Sequence, residues 1–295
     1  MNQENFKSGF VSIIGKPNVG KSTLMNALVG DSLSIITSKA QTTRHRIMGI
    51  LSGPDFQIVY SDTPGILEPE YELHQSMMTF VNASLEDADI ILLVVDLFEK
   101  FDHQQVLERI KRSQIPTLVI INKSDLDKGS RLHDKMEYWK ELLPGYEILT
   151  VSALERTNVD ELLLRIKDLL PSHPPYFPIE TLTDKSERFF ASEIIREKIF
   201  MNYKKEVPYS TEVEITDFIE EKDIIRIRAV IFVERKSQKG IIIGKGGEAL
   251  KKTGTAARHD MEAFFGKKVF LETFVKVEAD WRKKEIKLKR FGYKN

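Results

Sequence analysis

The sequence predicts an α/β domain built on a mainly parallel sheet, followed by a smaller α+β domain. Three observations lead there. Short β-branched runs alternate with helical stretches through the first 170 residues, which is the pattern of βαβ units around parallel strands. The segment PSHPPYFP, residues 171–178, then places four prolines in eight positions. Neither helix nor central strand suits it, so 171–184 reads as a linker. Beyond it the order becomes helix, two strands, helix, strand, which does not continue a doubly wound sheet. At 295 residues the chain exceeds the ~100–200 residues usual for one domain, so residues 1–170 and 185–295 can each bury a core.

Taken in order, FVSIIG (10–15) is the first strand and LMNALVG the helix after it. IMGIL (47–51) and FQIVYS (56–61) flank the turn GPDF, where Asp55 marks an antiparallel hairpin. DIILLVVD (89–96), TLVIIN (117–122) and EILTVS (147–152) complete six strands. In the second domain SERFFASEIIREKIF predicts a helix, TEVEITDFI and IIRIRAVIFVE alternating strands, Gly247 to Phe265 a helix, KVFLETFVKVE a strand, and the tail a basic helix. On that last helix Trp281, Leu288 and Phe291 share a face, read as a stripe docking onto its own domain in preference to a membrane anchor.

With hydrophobic residues at 41% and charged residues at 30%, the composition is that of a soluble protein. The absence of cysteine removes disulfides, thiolate zinc sites and a cysteine nucleophile together, and fits a reducing compartment. MNQENFKSGF has no signal-peptide character, and the longest apolar run, Ile90 to Val95, is too short to span a bilayer. A cytoplasmic protein is expected. The net charge of zero conceals an asymmetry. Residues 1–180 hold 18 Lys and Arg against 25 Asp and Glu, residues 181–295 hold 26 against 19, and the last 61 residues hold 17 against 7. A polyanionic partner is expected for that end.

GKPNVGKST, Gly15 to Thr23, fits GxxxxGK[ST] between a predicted strand and a predicted helix. In that setting Gly15, Asn18, Val19, Gly20, Lys21, Ser22 and Thr23 form a phosphate cradle at a helix N-terminus. Lys21 is placed to bridge the β- and γ-phosphates and the Ser22 hydroxyl to ligate Mg²⁺. Asp62-Thr63-Pro64-Gly65 adds a carboxylate that holds Mg²⁺ through water and an N–H, at Gly65, that meets the γ-phosphate. Asn122-Lys123-Ser124-Asp125 then names the base: a carboxylate at Asp125 accepts from N1–H and the 2-amino group of guanine, whereas adenine has neither donor. Asn122 is expected to brace the loops, the Lys123 stem to cover the base, and the backbone of Ser152-Ala153 to reach guanine O6. Ile66 stands where small regulatory GTPases carry a water-orienting glutamine, so slow intrinsic hydrolysis of GTP is expected.

These five elements resemble a translation-factor-like GTPase domain over residues 9–170. The resemblance implies a threonine ligand to Mg²⁺ from QTTRHR, either Thr42 or Thr43, with the spacing before arginine favouring Thr43. Lys21, Thr43 and Gly65 are then the catalytic set. It also implies a K⁺ site at Asn18, where potassium-stimulated relatives use an asparagine. In IIIGKGGEAL, Gly244-Lys245-Gly246-Gly247 sits between an apolar run and a helix. A GxxG spacing alone arises about once by chance in a chain of this size, but this context resembles the loop of a type II KH domain, which clamps about four unpaired nucleotides. Lys245, Lys251 and Lys252 are assigned to phosphate, and Ile242 and Ile243 to packing under the bases. The tandem of P-loop GTPase and KH domains, with KAQTTRHRI, VERKSQKGIIIGKGG and a terminal RFGY, resembles the Era-type GTPases over the whole chain. That resemblance implies binding to 16S rRNA near its 3′ end, a role in 30S subunit maturation and peripheral association with the inner face of the cell membrane. A monomer with no DNA partner is expected.

Overall fold

The apolar runs of the first half assemble into one six-stranded sheet: β1 (Lys7–Ile14), β2 (Ile47–Ser52), β3 (Phe56–Asp62), β4 (Ile90–Asp96), β5 (Thr117–Asn122) and β6 (Glu147–Thr150), in the order β2-β3-β1-β4-β5-β6. All neighbours are parallel except β2 and β3, which form the expected hairpin, closed by Gly53 N–H donating to Phe56 O at 2.8 Å. Every residue of β5, and all of β4 but Asp96, is buried, as continuous Val/Ile/Leu strands covered on both faces must be. The cover comes from α1 (Lys21–Val29), α2 (Glu72–Glu86), α3 (Gln104–Ser113), α4 (Arg131–Leu142) and α5 (Val159–Leu169). Val81, Leu107, Ile110 and Trp139 meet Ile91, Leu93, Val119 and Ile121 in one core, while α1 packs on β2, β3 and α5. Because the strands are parallel, the loops after β1, β4 and β5 gather at one edge, where open α/β sheets bind ligands.

The computed structural model describes residues 6–294, in two compact units. The first comprises residues up to Glu68 with Met77–Asp184, the second Pro69–Ser76 with the residues from Lys185 onward. The proline-rich segment 171–184 therefore belongs, by its contacts, to the first unit. Pro171 O accepts from Ser8 N–H at 3.1 Å, the Gln57 amide oxygen accepts from Tyr176 and Phe177 N–H at 2.8 and 2.9 Å, and Leu182 O accepts from Ile50 N–H at 2.8 Å.

The second unit runs α6 (Glu187–Asn202), β7 (Glu212–Glu220), β8 (Ile224–Val233), α7 (Lys236–Ile243), α8 (Glu248–Phe265), β9 (Lys268–Val277) and α9 (Glu285–Arg290). Ser186 caps α6 by accepting from Phe189 N–H. Strand β8 pairs antiparallel with β7 and parallel with β9, and Ile195, Ile199, Ile227, Ile231, Ala257 and Met261 fill the core between sheet and helices.

The isoleucine run before the GKGG loop is helical, as part of α7. One expectation is corrected here. The basic tail is not one helix: a 3₁₀ turn, Trp281–Lys283, precedes the six-residue α9, and the two are separated at Lys284, whose backbone is extended. Trp281 and Leu288 nevertheless have no accessible surface, and the Trp281 indole donates to Ser210 O at 2.9 Å. They dock inward, as the stripe predicted. No helix among the described residues is long and apolar enough to cross a membrane.

Candidate functional site

The turn after β1 is shaped by glycine at two positions. A Cβ on Gly15 would stand 2.1 Å from Val94 O, and one on Gly20 would meet the Asn122 amide at 2.2 Å, with φ at 153° and 97°. Only glycine permits both the approach and the backbone. Lys21, the first residue of α1, folds back into the loop it follows, donating to Gly15 O at 3.0 Å and Lys16 O at 2.8 Å. Burial lowers its pKa to about 8, against the opposing pull of Asp62 and Glu99.

Beside it three oxygens from distant positions converge. Ser22 Oγ lies 2.6 Å from Asp62 Oδ2, to which it donates, and 2.9 Å from Thr43 Oγ1. Asp62 is fully buried, and burial raises its carboxyl pKa although Ser22 and Lys21 pull it down. Its Oδ1 has no hydrogen bond among the described residues. A hard divalent cation fits this all-oxygen set. Thr42 lines the same cavity, but its hydroxyl is engaged in its own loop, donating to Lys39 O and pairing with Thr37. Gly65 abuts the turn, since a Cβ there would come 2.6 Å from Pro17 N. Ile66 is buried in the core.

At the other end Asn122 ties two loops together: its amide donates to Val19 O at 2.9 Å and its Oδ1 accepts from Ala153 N–H at 3.0 Å. Ser152 Oγ donates to Asp125 Oδ1 at 2.5 Å, which leaves Oδ2 for a ligand. One cavity of about 430 Å³ joins both ends, lined by Asn18, Gly20, Lys21, Ser22, Thr23, Thr43, Gly65, Asn122, Lys123, Asp125 and Ala153. That size suits a small-molecule ligand. Ile36, Leu126 and Leu154, which the motifs did not point to, add a partly exposed apolar rim.

The second unit presents the other site. Between α7 and α8, Gly244, Gly246 and Gly247 all have positive φ, at 74°, 59° and 84°. A Cβ on Gly244 would clash with Ala249, whereas Gly246 and Gly247 face open space. Lys245, Lys251 and Lys252 are exposed, so bare backbone and three ammonium groups share one short stretch. The assignment of Ile242 to base packing is corrected: it is fully buried in the core, and its carbonyl accepts from Tyr203 Oη at 2.7 Å. Ile243 is half-buried, and Ile241 is the exposed member of the run.

Comparison with known proteins identifies both domains. Residues 10–123 match the family model described as 50S ribosome-binding GTPase, and residues 206–282 match the KH domain. GTPase Era of Geotalea daltonii is 46% identical over 99% of this chain and 100% of its own length. A crystal structure of Era in complex with MgGDPNP and nucleotides 1506-1542 of 16S ribosomal RNA has a TM-score of 0.94 at 40% identity, covering 98% of this chain and all of the other. A single-substitution variant of Aquifex aeolicus Era bound to GDP.AlF4- gives 0.94 at 39%, with the same coverage. Nearly the whole chain is thus shared with these relatives in sequence and fold, and the chain belongs to the Era family of GTPases.

Proposed function

We propose that the protein is a GTP-hydrolysing switch that binds small-subunit ribosomal RNA and acts in 30S subunit maturation. The observation that carries the nucleotide half is the convergence of Ser22, Thr43 and Asp62 beside Lys21, in the same cavity as Asn122 and Asp125. In this reading Lys21 meets the β- and γ-phosphates and the backbone from Asn18 to Ser22 wraps the β-phosphate. Ser22, Thr43 and, through water, Asp62 hold Mg²⁺, which offsets charge developing on the transferred phosphoryl group. Gly65 N–H meets the γ-phosphate and Asp125 reads guanine. With Ile66 in the core, electrostatic stabilisation by Lys21 and backbone dipoles carries the turnover. Asn18, itself in a left-handed conformation (φ 65°), supplies an amide oxygen for K⁺ at the phosphates.

The RNA half rests on the exposed GKGG backbone with Lys245, Lys251 and Lys252, and on a relative crystallised with 16S ribosomal RNA. Calorimetry with Mg²⁺ tests the first half: GDP and GTP release heat of binding and ATP does not, and equal binding of ATP overturns it. For the second, Lys245→Ala with Gly246→Asp weakens a single-stranded RNA oligonucleotide at least ~10-fold while GDP affinity holds. Loss of binding to anionic vesicles instead, with RNA affinity unchanged, assigns the basic unit to lipid headgroups and overturns the RNA reading.

A further inference from the structure

Asp96 ends β4 at the register position opposite Asn122 of β5, and its whole carboxylate is engaged. Oδ2 receives the Lys123 ammonium at 2.9 Å. Oδ1 accepts from Phe98 N–H at 2.7 Å and Glu99 N–H at 2.8 Å, which turns the chain into the loop before α3. The same loop receives Lys16 of the phosphate turn, whose ammonium meets Asp102 at 2.8 Å, Glu99 at 3.2 Å and Lys100 O at 3.0 Å. Lys123 has a left-handed backbone, φ 63° and ψ 36°, a region that non-glycine residues adopt rarely and hold only where surroundings enforce it. Burial alone would raise the Asp96 carboxyl, but the Lys123 ammonium and the two N–H groups outweigh it and bring it below its ordinary value of 3.8.

The GTPase motifs do not include Asp96. A lysine stem free to sample its rotamers must be ordered when a base arrives, and that loss of freedom opposes binding. A carboxylate that already holds the ammonium removes most of it. Resting on the guanine-nucleotide reading above, we propose that Asp96 is a positioning residue for the nucleotide: it anchors the Lys123 ammonium so that the methylene stem lies ready over the purine face. The contribution belongs to the base and is the same for GDP and GTP.

Titration with a fluorescent GDP of the full chain, of Asp96→Asn, of Lys123→Met and of the double variant tests this. The asparagine keeps an oxygen for Phe98 and Glu99 N–H but puts an NH2, which cannot accept, against the Lys123 ammonium. Asp96→Asn weakens GDP about 10-fold, Lys123→Met at least as much, and the double variant lies within about 2-fold of Lys123→Met, because both remove one interaction. Asp96→Glu, which retains the charge, binds within about 3-fold of the parent. Thermal unfolding of nucleotide-free Asp96→Asn within about 4 °C of the parent shows that the fold is kept. Unchanged affinity in Asp96→Asn, or losses that multiply in the double variant, overturns the positioning role. A parent chain that binds no GDP overturns the nucleotide reading itself and this inference with it.

Discussion

The side-chain oxygens of Ser22 and Thr43, 21 positions apart in the chain, lie 2.9 Å from one another. Thr42 Oγ1 is committed to Thr37 and Lys39 O in its own loop. The neighbouring threonines are therefore not equivalent. Thr43→Ala lowers single-turnover GTP hydrolysis at least ~10-fold, the scale of losing a metal-site interaction, with GDP affinity within about 3-fold of the parent. Thr42→Ala costs about 1 kcal/mol of stability, the worth of a local hydrogen bond, and leaves turnover within about 3-fold.

Asp125 has one oxygen tied to Ser152 and one free. Replacing it with asparagine puts a donor where guanine presents donors and where xanthine presents a carbonyl. Asp125→Asn loses ~100-fold in GDP affinity, as expected for a charge-assisted hydrogen bond of ~2–3 kcal/mol, and gains affinity for xanthosine diphosphate. Competition titration with the two nucleotides reads both changes.

Potassium dependence isolates Asn18. Turnover in KCl exceeds turnover in NaCl for the parent chain, by at least ~10-fold if the ion supplies part of the charge that an arginine finger brings elsewhere. Asn18→Ala removes the difference. Equal rates in the two salts with the parent exclude a K⁺ site.

Asp96 also sets a pH dependence. Its carboxyl is lowered in the folded chain below 3.8, so in acid the unfolded chain takes up this proton before the folded one does. The stability it contributes is complete above the ordinary carboxylate range and is lost as pH falls through the lower folded value. Denaturant unfolding therefore shows Asp96→Asn less stable than the parent at pH 7, with the gap narrowing below about pH 4. The group is half-buried, so the gap is about 1 kcal/mol.

Much of the site was legible because its motifs are local: a cradle whose donors all lie between Gly15 and Thr23 needs no tertiary knowledge. The Asp96–Lys123 pair was not. The two residues are 27 positions apart and meet only because β4 and β5 pair in one parallel register, Asp96 opposite Asn122. Helix α7 escaped for a different reason. A β-branched run containing Gly240 has the local preferences of a strand, and burial of Ile242 among α6, β8 and α8 overrides them. The tail misled through its uniform charge, which carries no sign of the break at Lys284. The inward packing of Trp281 and Leu288 was readable because large apolar residues spaced among lysines leave little else to bury.

The proline-rich strap along the first unit has a practical consequence. Strand β2 is the outer member of its sheet, and Ile50 N–H and Met48 N–H are satisfied by Leu182 O and the Asp184 carboxylate, at 2.8 and 2.9 Å. An isolated amino-terminal fragment that stops at Leu170 would bare those amides on a rim open to self-association. Excised instead after Asp184, the same fragment carries its own edge guard and is the piece to express.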